Sequence, residues 1–174
     1  MNEAHLHITL NHFPIIGSIL GVAILIAGMF FKSRHTIRTA LVLLIVSAVA
    51  AIPTYLTGEA AEETVEHMQG ISHDLIHEHE EKAELYIWLI GAVGVLALIS
   101  LITDLRTLAI RKALFVATIV LGLVSIVVAR QVGTSGGEIN HPEIRKDFVA
   151  EEEHGDEEDD KEGDKREDKR RRRD

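Results

Sequence analysis

Hydrophobic and polar positions along this chain are segregated rather than interleaved. Four apolar blocks, Phe13 to Phe31, Thr39 to Leu56, Leu85 to Ile102 and Ala113 to Ala129, run 17 to 19 residues each and contain no Asp, Glu, Lys, Arg or His. About 17–25 residues at a helical rise of 1.5 Å cross the hydrocarbon core of a bilayer. No water is available there, so every backbone N–H and C=O must be bonded within its own segment, and each block is expected to be an α-helix. A soluble helix keeps a polar stripe, and none of these blocks has one. The pattern predicts an all-α, integral membrane four-helix bundle over about residues 1–145. From Glu151 onward almost every residue is charged. Such a segment cannot bury a core, so residues 146–174 are expected to form a disordered, charged tail.

The polar segments predict an orientation. The two short connections are basic, with Lys32, Arg34 and Arg38 in one and Arg106, Arg111 and Lys112 in the other beside a single acid, Asp104. The connection from Thr57 to Glu84 holds nine acids and one base, Lys82, and the first twelve residues hold Glu3 and no Lys or Arg. Short basic loops stay cytoplasmic, which puts both termini and the long acidic connection on the outer side of a bacterial inner membrane. Phe13, Tyr55, Tyr86 and Trp88 would mark the outer boundary, and Phe30, Phe31 and Phe115 the inner one. The basic run Lys169 to Arg173 lies too far beyond the fourth block to alter that bias. No basic region precedes the first block, which is expected to stay as a span rather than be cleaved as a leader.

Small residues recur at helical spacing, as in Gly17 and Gly21, Ser47 and Ala51, or Thr118 and Gly122, and should allow close helix approach. Pro53 is expected to bend or end the second helix, with Gly58 as its C-cap. The stretch Gly133 to Gly137 reads as a turn that folds the chain back over the mouth of the bundle.

Composition narrows the chemistry. There is no Cys, which removes disulfides, thiolate metal sites and cysteine nucleophiles. Eight aromatic residues and a formal net charge of −9 argue against a nucleic-acid partner. No ionisable group sits in the middle of a span, which disfavours proton-coupled transport. The run His77-Glu78-His79-Glu80-Glu81 lacks zincin spacing, and no nucleophile elbow or nucleotide-binding fingerprint appears, so no catalytic residue is assigned.

What remains is histidine. Nine of the ten, His5, His7, His12, His67, His73, His77, His79, His141 and His154, fall on the predicted outer side, and only His35 on the inner. Imidazole ligates divalent metals and haem iron. His79 continues through Ala83, Tyr86, Ile90, Gly94 and Ala97, a small-residue stripe suited to helix contact. His12 opens the first span, and His141 follows the glycine-rich stretch. These three are the leading ligand candidates. The plainer reading is that they are boundary residues bonded to neighbouring backbone. His73 and His77 share a helix face with Glu81 and Glu84, either a surface metal grouping or a solvated face. They are secondary candidates, with His7, Glu62 and Glu63.

Several of these residues stand in recognisable order. They are His7-x4-His12-Phe13-Pro14-Ile15 opening the first span, Thr57-Gly58-Glu59-Ala60-Ala61-Glu62-Glu63 after the second, His79 before the third, and Gly136-Gly137-Glu138-Ile139-Asn140-His141 after the fourth. The chain resembles, over about residues 5–145, a bacterial family of small multi-helix membrane proteins of unknown function, DUF family 2231. Members often carry Pro directly after the first His, where this chain has Ile8. The resemblance implies four helices with a histidine-bearing outer face and no established reaction. Three functions are consistent with these residues: a haem b protein with axial His12 and His79, a protein binding a divalent metal through His12, His79 and His141, or a non-catalytic accessory subunit of a membrane complex whose acidic loop and tail meet a protein partner.

Overall fold

The computed structural model describes residues 2–65 and 72–145, the side chains of 63–65 excepted. Five α-helices account for nearly all of them: α1 Glu3–Leu10, α2 His12–Phe30, α3 Arg34–Val65, α4 His73–Leu105 and α5 Arg111–Asn140. A 3-10 turn, Pro142–Ile144, follows, and there is no strand among the described residues. The compact unit ends at Pro142. The predicted tail lies outside the described residues.

The four apolar blocks became α2 and the apolar parts of α3, α4 and α5, all long and apolar enough to cross a membrane. They close into a ring in which α2 packs on α3 and α5, and α4 packs on α3 and α5. At the centre lie Leu25, Leu41, Leu44, Ile90, Val93 and Ala97, all fully buried. Only 28–33% of each apolar window is buried inside the bundle, so the remainder faces outward as Ile, Leu and Val, the surface a bilayer solvates.

Lipid offers no hydrophobic drive between helices, so close backbone approach and buried hydroxyls must hold them together. Gly17 lies against Ser47, Gly21 against Leu44, Gly94 against Ala48 and Gly122 against Val22, each with no room for a Cβ. Several buried hydroxyls are satisfied locally, while Tyr86 Oη and Ser125 Oγ are buried without a hydrogen-bond partner among the described residues. Ser47 Oγ donates to Leu43 O and Thr118 Oγ1 to Leu114 O, both at 2.8 Å, and Ser100 meets Thr118 across helices at 3.0 Å.

Three features depart from the sequence reading. The N-terminal segment forms a helix of its own, α1, capped by Asn2 Oδ1, which accepts the His5 N–H at 3.0 Å, and docked on α3. Pro53 does not end its helix, because α3 runs on to Val65. Proline removes one backbone donor, yet nearby hydroxyls take up carbonyls around it: Thr54 Oγ1 donates to Ala50 O at 2.9 Å and Thr57 Oγ1 to Pro53 O at 2.8 Å. Gly58 is therefore inside a helix rather than capping one. The stretch 133–137 likewise stays helical within α5 instead of turning back. Ser135 there is buried and Gly136 is covered by a side chain from α4, so tertiary contact outweighs the weak helix propensity of glycine.

Candidate functional site

The polar ends of α3, α4 and α5 project beyond the apolar blocks and, with α1, form one end of the bundle. Two half-buried imidazoles stand there, His7 from α1 and His79 from α4, with His7 within electrostatic reach of His79. Their surroundings match. The His7 ring lies over Gly58 of α3, and the His79 ring lies over Gly136 of α5. A Cβ at either glycine would stand 3.0 Å from Cε1 of the ring above it. Each ring thus rests on bare helix backbone.

Hydrogen bonding fixes how each ring carries its proton. His7 Nδ1 is 3.0 Å from Thr54 O. A carbonyl only accepts, so Nδ1 carries a proton and donates it. His79 Nδ1 is 3.0 Å from Ser135 Oγ, whose own proton goes to Val132 O at 3.2 Å. That hydroxyl therefore accepts from the Nδ1–H of His79. Burial, and then the neighbouring His7, hold the His79 pKa below the ordinary imidazole value, so at neutral pH the ring is uncharged. A Nδ1–H tied to a backbone carbonyl or hydroxyl is the arrangement that orients a ligating imidazole.

The other predicted residues are placed differently. His12, the first residue of α2, and His141, just after α5, are both exposed. His73 and His77 lie on the exposed face of α4, with His77 Nδ1 3.5 Å from Glu80 and its Nε2 3.6 Å from Glu81. Glu62 is half-buried on α3. The side chain of Glu63, and all of His67 and His154, lie outside the described residues. No group of three His, Asp or Glu side chains arranged to hold a metal ion occurs among the described residues.

The profile of a family described as "Predicted membrane protein (DUF2231)" matches residues 4–142. The chain belongs to this family. The match takes in both imidazoles and the two glycines beneath them, and it stops short of the charged tail. No curated protein matches the chain, and neither does any solved structure.

The opposite end of this DUF2231 protein carries a second charged arrangement. Asp104, near the end of α4, is buried at 1% exposure. Arg38 Nε donates to its Oδ2 at 2.7 Å, while Arg111 Nε and Arg34 Nε stand 3.8 and 4.0 Å from Oδ1. This carboxylate ties α4 to the start of α3 and of α5. The only sequence signal for it was a single acid within a basic connection. Thr54, Gly58, Ser135 and Gly136 gave no sequence signal as parts of a histidine site, because their roles depend on partners 47 to 57 residues away.

Proposed function

We propose that this membrane protein holds a transition-metal centre through the Nε2 atoms of His7 and His79, on the outer side of a bacterial inner membrane. The observation that carries the reading is the shared tether: two half-buried imidazoles, each with Nδ1 hydrogen-bonded to a neighbouring helix, at one end of the bundle. A set of His12, His79 and His141 would draw on two exposed imidazoles, whereas His7 and His79 are both half-buried at one end of the bundle. Two imidazoles supply both axial ligands of a haem b iron, or half the coordination of a four-coordinate divalent ion whose other positions go to water or an added carboxylate. The chemistry common to both is imidazole ligation.

The test is an absorption spectrum with elemental analysis of the native protein purified in detergent. A Soret band identifies haem. Stoichiometric metal without that band identifies a divalent ion. Protein that lacks both, and that recovers neither when haemin or a divalent metal is added, overturns the reading and leaves an accessory subunit of a membrane complex in its place. In either positive case His7→Ala and His79→Ala must each lower the bound content.

A further inference from the structure

The arginine end carries more positive charge than its acid can neutralise. Asp104 has one hydrogen-bonded partner, Arg38. Arg34 and Arg111 stand at 4.0 and 3.8 Å through Nε, beyond hydrogen-bond distance. Three guanidiniums against one carboxylate leave two positive charges unbalanced. Both extra arginines reach the surface, with side chains 46% and 26% exposed. They are the first residues of α3 and α5, neither of which has an acid in its first turn. The backbone N–H groups of those helix ends add partial positive charge to the same spot. Asp104 itself, buried and fixed by Arg38, holds the cluster together without cancelling it. Planar guanidinium forks match phosphate oxygens in pairs.

We propose that Arg34 and Arg111 together bind a phosphate group at this end, with Asp104 and Arg38 as positioning residues. The phosphate could come from a phospholipid headgroup of the adjoining leaflet or from free phosphate, and both present the same oxygens.

The experiment uses the full-length protein in neutral detergent micelles, titrated with phosphatidylglycerol, with phosphatidylcholine, and with inorganic phosphate. Bound fraction is read from the shift in thermal unfolding. Phosphatidylglycerol should bind more tightly than phosphatidylcholine. Arg34→Gln and Arg111→Gln should each weaken it about five-fold, and the pair about twenty-five-fold, as expected for about one kcal/mol per arginine at a membrane surface. Arg106→Gln removes the same charge from the same exposed connection without touching Asp104, and should leave binding unchanged. The basic run Lys169 to Arg173 is common to every variant and drops out of the comparison. If inorganic phosphate gives the same arginine-dependent shift, the source is a free anion; if only the lipid does, it is the headgroup. An Arg106→Gln loss as large as that of Arg34→Gln would mean diffuse attraction and overturn the site. Equal binding of the two lipids that Arg34→Gln and Arg111→Gln both leave unchanged overturns it as well.

Discussion

Alanine at Gly58 or Gly136 would separate the site from the stability of the bundle. A Cβ at position 58 would lie 3.0 Å from Cε1 and 3.2 Å from Nδ1 of His7; at position 136 it would lie 3.0 Å from Cε1 and 3.4 Å from Nδ1 of His79. Ordinary contact begins near 3.4 Å, so each ring must retreat by a few tenths of an ångström. The His7–Thr54 bond, now 3.0 Å, would stretch past the favourable range for N–H···O bonds. Alanine in place of glycine inside a helix adds about 1 kcal/mol of stability. Crowding a packed side chain costs about 1–3 kcal/mol. The two effects offset, leaving net destabilisation of at most about 2 kcal/mol. Disturbing a group that orients a ligating imidazole lowers metal affinity by about 10–100-fold. Gly133→Ala is the control: nothing lies within 4 Å of its added Cβ, so it should raise stability by about 1 kcal/mol and leave affinity alone. The assay is a competition titration with haemin or Cu(II), according to the native spectrum, alongside thermal unfolding. If both glycine variants kept wild-type affinity, the claim that these rings are held for ligation by the backbone beneath them would fail.

Other expectations concern packing and charge. Arg38→Ala removes the one hydrogen bond to the buried Asp104 carboxylate found among the described residues; breaking a buried ion pair costs about 3–5 kcal/mol, and with Arg34 and Arg111 still nearby the lower end, about 3, is expected in thermal unfolding. Gly94→Ala drives a methyl into Ala48 and should lower stability by about 1–3 kcal/mol, whereas Gly91→Ala, which meets nothing, should not. The metal-free protein should be acid-sensitive. His79 binds its proton less readily folded than unfolded, so the stability it contributes is complete above the ordinary value of 6.5 and is lost as pH falls through the depressed folded value. Unfolding midpoints measured across that range should fall, and His79→Gln should flatten the curve. A midpoint that rises on acidification in the wild type alone would contradict the assignment.

The spans were legible because each is a run of 17 to 19 residues without a charge, a constraint that lipid imposes locally. Which imidazoles come near one another was not legible in the same way. His7 belongs to an eight-residue helix that the polar N-terminal sequence does not announce, and its proton is directed by Thr54, 47 residues away. His12 opens α2 and His141 follows α5, and the structure leaves both exposed. Pro53 and the glycines of 133–137 misled for a related reason: local rules for breaking a helix hold unless hydroxyls or a covering ring stabilise it, and here Thr54, Thr57 and His79 do so. Asp104 was visible as a lone acid, but its burial by Arg38 depends on a contact 66 residues apart.

The most direct measurement of the histidine pair is pulsed electron paramagnetic resonance on the protein loaded with one equivalent of Cu(II) as a probe. Coupling to the remote nitrogens of two imidazoles is predicted, falling to one in His7→Ala and to one in His79→Ala. A spectrum without imidazole coupling, or one unchanged by both substitutions, would contradict it.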